Sequence, residues 1–341
     1  MGPLVSLAMI VRDEAETLPA ALQSVQGVVD EIVVVDTGST DDTVQIAEGF
    51  GAQVVRQPWS DDFSAARNRA LKHCTGRWIL VLDADECLEV PNPSQLRGYL
   101  QQPQRKTTDT YLLRILNQQR DGQAISSFHA PRLFARHPTL KYTGRIHERP
   151  SIEGGRTIRL DGLQIVHTGY DPQVYRDRRK SERALKLLTL DLAEHPGDPV
   201  LGFYLGREYV KLQRFTEAIT VLSPSVEQLL DRRKGPVVEA VYTLLKAFGA
   251  DRGRLPQAIA LLQRTLEISP EHPDLLFSLG KALYLRGEPA DLPTALSVVQ
   301  KAMSCRHASQ ISEVMLAHHQ GEATQLIEQI QAASATHSAR T

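Results

Sequence analysis

The sequence predicts an α/β domain followed by an all-α domain of helical repeats. Over the first 90 residues, short apolar runs alternate with helical patterns, which is typical of parallel strands joined by right-handed crossovers. Beyond about residue 170 the strand-like runs disappear and helical periodicity continues. We therefore predict domains at residues 1–170 and 171–335, with a flexible tail at 336–341.

The composition agrees with this division, since 341 residues suffice for two domains of about 100–200 residues each. A net charge of −1 gives no overall attraction to nucleic acid or to an anionic membrane. The three cysteines form no Cys-x-x-Cys pair, which favours a reducing compartment and disfavours structural zinc. No apolar run reaches the ~18 residues of a transmembrane helix. We predict a cytoplasmic protein without a transmembrane segment and without a nucleic-acid partner.

Four strands are predicted in the first 90 residues, at 4–11, 32–35, 52–55 and 78–82. Asp13 and Glu16 resemble a capping box for the helix that follows the first strand. A helix opening at Ser64 is predicted to close at Gly76, immediately before the fourth strand. These predictions place strand and helix in strict alternation.

Acidic residues follow three of these strands: Asp13 and Glu14, then Asp36, then Asp83 and Asp85. Because the carboxyl ends of parallel strands border the ligand crevice, we expect them at one edge of the sheet. An Asp-x-Asp there can bind a divalent cation whose other positions take phosphate and water oxygens. The alternatives are a solvated acidic turn for Asp83 and Asp85 and a turn-making role for Asp36.

The region lacks both the Gly-x-Gly-x-x-Gly and the Gly-x-x-x-x-Gly-Lys motifs, which argues against dinucleotide and P-loop sites. An acidic crevice can still bind a diphosphate if a metal bridges the charges and a guanidinium assists. Arg67 or Arg69 would supply that guanidinium, the alternative for Arg67 being a solvated helix charge.

Four blocks of sequence together resemble family 2 glycosyltransferases in order and spacing. They are SLAMIVRDE at 6–14, VVDTGSTD at 34–41, ARN at 66–68 and LDADE at 82–86. The subgroup that resembles the chain most continues into GRIHE, here at 144–148, and a helical-repeat tail. That subgroup includes peptide S-glycosyltransferases of the SunS type.

The resemblance implies a Rossmann-like GT-A fold, a nucleotide-sugar donor that is most often a UDP-sugar, and inversion at the anomeric carbon. It implies that Asp36 contacts the base, that Glu14 lies near base or ribose, and that Asp83 contacts ribose or donor sugar. It also implies that Asp85 binds Mn²⁺ or Mg²⁺. The donor-binding residues would be Val11, Asp13, Glu14, Asp36, Arg67 and Asp83.

Residues 91–170 form the predicted acceptor half, after a donor half at 1–90. A helix is expected at 94–100 and strands at 110–116, 125–128, 133–134 and 165–170. Inverting transfer needs a base, for which Glu148 is the first candidate and His147 the second. The alternative for Glu148 is an Arg–Glu surface pair. His167, at a strand end, is a second metal-ligand candidate beside Asp85, or a structural histidine.

The second domain shows small residues at a repeating interval, among them Gly206, Ala218, Ala258 and Gly280. The pattern resembles degenerate tetratricopeptide repeats, in which small residues let paired helices approach closely. Such repeats form a concave surface suited to a peptide or protein acceptor. A rigid brace or a homodimer contact are the alternative roles.

These observations predict an inverting, metal-dependent glycosyltransferase that moves a sugar from a nucleotide-diphosphate sugar to a peptide, protein or glycan. One alternative is a repeat-based binding scaffold whose transferase-like domain is inactive. A nucleotidyltransferase is a further alternative, but no triphosphate-binding loop rich in Gly, Arg or Lys follows the first strand.

Overall fold

The computed structural model describes residues 2–102, 109–119, 122–167, 178–249, 251–305 and 312–338. The chain forms two compact units, Met1–Asp177 and Arg178–Thr341. The boundary predicted at residue 170 falls within 168–177, outside the described residues. None of the helices in the described ranges is long and apolar enough to cross a membrane.

The first unit is built on a mainly parallel sheet flanked by helices. Its strands are β1 (Val5–Val11), β2 (Glu31–Asp36), β3 (Gln53–Arg56), β4 (Trp78–Val81), β5 (Glu86–Glu89), β6 (Asp109–Gln118), β7 (Ala124–Ala135), β8 (Lys141–Thr143), β9 (Arg149–Ser151) and β10 (Arg156–His167). Its helices are α1 (Leu18–Ser24), α2 (Thr43–Gly49), α3 (Phe63–His73) and α4 (Pro93–Gln101).

Eight strands form one sheet in the order β3-β2-β1-β4-β7-β6-β10-β5, and β8 pairs with β9 separately. Strands β1 to β4 are parallel, as the alternation of strand and helix predicts. Strand β7 runs antiparallel to both β4 and β6, and β10 runs parallel to β6. The predicted α/β fold with a Rossmann-like sheet is confirmed.

Buried apolar residues cover both faces of the sheet. One core joins strands β1 and β4 to helices α1 and α4, with Leu7, Leu22, Trp78 and Leu100 almost fully buried. The other core packs α3 against the opposite face. Burial on both faces explains why the central strands are continuous apolar runs in the sequence.

Two local predictions in this unit are wrong. Asp13 does not cap a helix, because α1 begins only at Leu18, and the Asp13 carboxylate instead accepts hydrogen bonds from Thr40. Gly76 does not end α3, which stops at His73. The glycine lies against Ser6, where an added Cβ would be 2.7 Å from the backbone nitrogen.

The acceptor half differs from prediction in its strand lengths. Residues 125–128 and 133–134 belong to one strand, β7, which pairs with β6 and, at its C-terminal end, with β4. Pro131 and Arg132 interrupt its apolar pattern where the register with β6 shifts. The strand predicted at 165–170 begins earlier, at Arg156. The sequence did not show this part of β10, because its first half is mostly exposed and carries several polar residues. Its predicted end at 168–170 lies outside the described residues.

The second unit is helical. Its helices are α5 (Arg178–Glu194), α6 (Pro199–Lys211), α7 (Phe215–Arg232), α8 (Val237–Phe248), α9 (Leu255–Ile268), α10 (Pro273–Arg286), α11 (Leu292–Ser304) and α12 (Ser312–Ser338). An added Cβ at Gly206 of α6 would overlap Leu222 of α7, and one at Gly280 of α10 would overlap Val299 of α11. The predicted close approach of paired helices is therefore confirmed. Helix α12 continues through 336–338, so that part of the predicted tail is helical.

Candidate active site

The predicted acidic residues lie at one edge of the sheet. Strand β1 is central, with β2 on one side and β4 on the other, all parallel. Asp36 is the last residue of β2, and Asp83 follows the end of β4 by two residues. Three parallel neighbours end together, so these carboxylates are placed on the same rim of the sheet.

A groove of about 730 Å³ lies beside Asp36. Asp36 is buried, and its carboxylate accepts hydrogen bonds from the backbone nitrogens of Ser39 at 3.0 Å and Gly38 at 3.3 Å. Asp36 therefore does make a turn, and it also lines the groove. Arg12 and Trp59 are among the other lining residues.

Val11, Asp13 and Glu14 connect the loop after β1 to the loop after β2. The buried Val11 carbonyl accepts a hydrogen bond from the Thr37 nitrogen at 3.0 Å. Asp13 has a left-handed backbone, with φ of 54°, and its carboxylate accepts from the Thr40 nitrogen at 2.7 Å. The Glu14 nitrogen donates to Thr43 Oγ1 at 2.7 Å. These contacts fix the two strand-end loops against each other.

Arg67 is a buried charge at the centre of the site. Its Nη2 donates to Asp83 Oδ1 at 2.7 Å, and its Nε donates to Glu148 Oε1 at 2.5 Å. The guanidinium carbon lies 5.5 Å from the ring centre of Tyr142. Burial lowers the pKa of Arg67, but Asp83 and Glu148 outweigh it and raise that pKa above its ordinary value. The alternative of a solvated helix charge is therefore wrong.

Glu148 pairs with an arginine, but not on the surface. Its side chain is 13% exposed and its partner is Arg67. Residues 144–148 and the start of α3 are joined by further hydrogen bonds, including Phe63 N to Arg145 O at 2.9 Å and Ser64 Oγ to Gly144 O at 2.6 Å. His147 has a left-handed backbone, with φ of 53°.

Asn68, the last residue of the ARN block, binds the backbone of strand β8. Its side-chain nitrogen donates to the Tyr142 carbonyl at 2.9 Å, and its side-chain oxygen accepts from the Tyr142 nitrogen at 2.7 Å. The Asn68 side chain thus makes the pair of backbone hydrogen bonds to Tyr142 that a neighbouring strand would otherwise make. This contact fixes the segment that leads into the 144–148 loop.

A second arginine, Arg132 of β7, was not predicted. Its Nη2 donates to Glu86 Oε1 at 2.5 Å and lies 3.5 Å from Asp83 Oδ2. Burial raises the pKa of Asp83, but Arg67 and Arg132 outweigh it and hold that pKa well below its usual range. A single charge inside the run Ala130-Pro131-Arg132-Leu133-Phe134 was the sequence signal for this residue.

Glu86, which was also not predicted from the sequence, contacts both Asp83 and Arg132. It is 3% exposed, and it accepts a hydrogen bond from the Asp83 backbone nitrogen at 2.9 Å in addition to its ion pair with Arg132. Burial raises the pKa of Glu86, and Arg132 reduces that rise only in part. Glu86 therefore holds Asp83 and Arg132 in a fixed relation.

Asp85 and His167, the two metal-ligand candidates, contact each other. His167 Nε2 lies 3.0 Å from Asp85 Oδ2, and Nδ1 lies 3.0 Å from Asn117 Oδ1. Burial lowers the pKa of His167, but the bond to Asp85 outweighs it and raises that pKa. Within the described residues no third His, Cys, Asp or Glu ligand atom joins this pair. A cation here would complete its coordination with substrate or water oxygens.

The fold and site thus define a class: an α/β domain in which a strand-end carboxylate, Asp83, contacts two nearly buried arginines, and in which a groove lies beside a second strand-end carboxylate, Asp36. Residues 6–147 match the model of Glycosyl transferase family 2, and residues 250–287 match a TPR repeat. The chain therefore contains an N-terminal family 2 glycosyltransferase domain and C-terminal tetratricopeptide-type repeats.

Among curated proteins, the chain is 38% identical over 211 residues to a TPR repeat-containing protein of Synechococcus elongatus, covering 59% of this chain and 51% of that protein. It is 28% identical over 229 residues to the SPbeta prophage-derived glycosyltransferase SunS of Bacillus subtilis, covering 66% and 53%. The chain thus spans about half the length of these relatives.

Two solved structures show weaker overall similarity. The chain aligns to TarS of S. aureus with 15% identity and a TM-score of 0.42, covering 78% of this chain and 54% of that chain. It aligns to glucosyl-3-phosphoglycerate synthase of Mycobacterium tuberculosis, solved with Mn²⁺, UDP-glucose and phosphoglyceric acid, with 27% identity and a TM-score of 0.26. That alignment covers 36% of this chain and 45% of that chain.

Proposed function

We propose that this protein is an inverting, metal-dependent glycosyltransferase that moves a sugar from a UDP-sugar to a peptide, protein or glycan. The observation that carries the proposal is the meeting of distant sequence blocks at one sheet edge. Arg67, from the third block, contacts both Asp83 of the fourth and Glu148 of the GRIHE segment. Asp36 lines the adjacent groove, which offers the base of the donor a site.

Asp85 and His167 would bind the divalent cation. Their facing atoms are 3.0 Å apart, so one ion can contact both after the intervening proton has left. A mixed nitrogen and oxygen donor set suits Mn²⁺ better than Mg²⁺, which prefers oxygen ligands. The bound cation would stabilise the charge that develops on the leaving diphosphate.

The transfer is a single displacement. A lone pair of the acceptor attacks the anomeric carbon, and the bond from that carbon to the diphosphate oxygen breaks on the opposite side with its electrons. The acceptor proton passes to a base, for which Glu148 is the first candidate and His147 the second. Protonating Glu148 would remove one of the two charges that balance Arg67, and this opposes the role of Glu148 as base.

Arg67 is expected to act on the donor through Asp83. Two of its nitrogens are occupied by carboxylates, and the third, Nη1, is buried. Asp83, in contrast, is 37% exposed and reaches solvent. A carboxylate fixed by two arginines is a well-positioned hydrogen-bond acceptor for ribose or sugar hydroxyls.

A repeat-based scaffold with an inactive transferase domain is the second candidate. The C-terminal repeats favour it, since stacked helix pairs of this type commonly bind peptides. The acidic cluster by itself does not decide between the two, because Arg67 and Arg132 neutralise much of it. The Asp85–His167 pair favours the enzyme.

The test is a panel of nucleotide-sugars with Mn²⁺, scored by release of nucleoside diphosphate. We expect release from at least one UDP-sugar with wild type and its loss in Asp85→Ala. Asp161→Ala is the matched control, because that aspartate is exposed and forms an ion pair with Arg159, which is also exposed. Absence of both release and nucleotide binding across the panel would favour the scaffold.

A further inference from the structure

We propose that Arg132 is a donor-diphosphate ligand, a role that no sequence block assigns to it. This inference rests on the proposed function and adds one residue to its donor site. The phosphate oxygens of the nucleoside diphosphate would accept hydrogen bonds from Nε and Nη1 of Arg132.

Arg67 and Arg132 both contact Asp83, but their guanidinium groups differ in how many nitrogens are occupied. Arg67 uses Nε for Glu148 and Nη2 for Asp83, and its Nη1 is sealed from solvent. Arg132 makes both of its contacts, to Asp83 and Glu86, through Nη2 alone. Arg67 therefore has no nitrogen available to a ligand, whereas Arg132 is bound through a single nitrogen.

The other two guanidinium nitrogens of Arg132 are available to a ligand. Nε and Nη1 make no hydrogen bond to any residue in the described part of the chain, yet neither is a fully buried unsatisfied atom. The side chain as a whole is only 15% exposed. A nearly buried guanidinium with two reachable donors is suited to a bound anion.

Glu86 makes this arrangement rigid. It is 3% exposed, and it binds Arg132 through Oε1 and the Asp83 nitrogen through Oε2. A buried ion pair with additional hydrogen bonds holds its geometry before a ligand arrives. Arg132 would therefore bind an anion without first ordering a flexible side chain.

The anion that fits is the diphosphate of the donor. Arg132 lies 3.5 Å from Asp83, and Asp85, the cation ligand candidate, is two residues further along the chain. A planar guanidinium offers two parallel N–H groups that match two phosphate oxygens. In the reaction it would stabilise charge on the departing diphosphate together with the cation.

The experiment is isothermal titration of the full-length protein with UDP and with UMP in the presence of Mn²⁺, and with GDP and GMP as a second pair. The variants are Arg132→Ala and Arg132→Lys. The matched control is Arg114→Ala, which removes an exposed arginine of the neighbouring strand β6 whose Nη2 lies 3.5 Å from Ser127 Oγ.

We expect Arg132→Ala to weaken diphosphate binding about 10- to 100-fold and monophosphate binding less than about 3-fold, because charge-assisted hydrogen bonds to the outer phosphate are lost. Arg132→Lys should recover part of the difference, and Arg114→Ala should resemble wild type. A purely structural role would instead weaken both nucleotides equally, leaving their ratio unchanged. That result would overturn the inference.

Two further outcomes separate the proposals. Wild type that binds neither nucleotide pair would overturn the proposed function and this inference together. Wild type that binds UDP, with unchanged UDP binding in Arg132→Ala, would overturn this inference alone. If Arg132→Ala does not fold, the Arg132→Met/Glu86→Gln double variant removes both buried charges and is titrated in its place.

Discussion

Nε of Arg67 donates a hydrogen bond to Oε1 of Glu148 at 2.5 Å, across a separation of 81 residues. This bond joins helix α3 to the 144–148 loop in the interior of the site. Arg67 also bonds to Asp83, so the position of the acidic strand end depends on a loop far away in sequence. Glu148 therefore has a positioning role whether or not it also acts as the base.

Substitutions of Glu148 separate these two roles. Glu148→Gln keeps an oxygen for the Arg67 hydrogen bond but cannot take a proton at neutral pH. If Glu148 is the base, this variant should bind the donor normally and transfer about 10²- to 10⁴-fold more slowly. Steady-state transfer and nucleotide titration measure both quantities. Unchanged turnover would remove Glu148 as the base and leave His147, which His147→Gln then tests.

The sequence was sufficient to predict the central sheet and the edge at which its acidic residues lie. Strands β1, β2 and β4 are buried on both faces, so their apolar runs identify them without tertiary information. Asp36, Asp83 and Asp85 follow from the rule that parallel strands end together. Arg132 could not be predicted in the same way, because β7 reaches the site through antiparallel pairing with both β4 and β6. Glu86 lies in the LDADE block, but its role depends on the ion pair with Arg132, which is 46 residues away in sequence.

The wrong predictions have a common cause. Asp13 and Glu16 fit a capping pattern, but Asp13 bonds to Thr40 of the next strand-end loop, 27 residues away. Gly76 fits a helix-ending pattern, but it is required by the close approach of Ser6, 70 residues away. Local patterns cannot reveal partners at such separations.

The Asp85–His167 pair should make stability depend on pH. The pKa of His167 is raised in the folded protein, so the pair stabilises the fold below the unfolded histidine pKa of about 6.5. This stabilisation should disappear as pH rises through the folded pKa. Melting of metal-free wild type and Asp85→Asn from pH 5 to 9 should show a difference that is largest at acid pH. A difference that grows towards pH 9 would contradict the assignment.

Mn²⁺ binding should depend on pH in the opposite sense. The cation would replace the proton between His167 Nε2 and Asp85 Oδ2, so affinity should rise with pH until His167 is neutral. Titration of wild type with Mn²⁺ plus UDP in buffers of different ionisation enthalpy measures the protons released. We expect release on binding at pH 6 and less at pH 8.5. Equal release at both pH values would exclude this competition.

Asn68 should matter for both stability and activity. Asn68→Ala removes two hydrogen bonds to the Tyr142 backbone and leaves these backbone groups unsatisfied, at a cost of about 1–3 kcal/mol in the free energy of unfolding. It should also lower transfer, since β8 leads into the 144–148 loop. Chemical denaturation and transfer assays measure these effects, with exposed Gln26→Ala as the control. Wild-type stability in Asn68→Ala would show that the loop is fixed by other contacts.

The repeat unit offers a test that is independent of the chemistry. In Gly280→Ala the new methyl would overlap Val299 and lie 3.1 Å from the Ala295 carbonyl oxygen, so helices α10 and α11 must separate. We expect a loss of about 1–3 kcal/mol, as for other overpacked cores. Gly321→Ala in α12 is the control, because a Cβ there meets nothing within 4 Å, and replacing a helix glycine by alanine should be neutral or stabilising by up to about 1 kcal/mol. Denaturant unfolding of the full chain compares the two. Equal stability of both variants would mean that the repeats pack less closely than Gly280 requires.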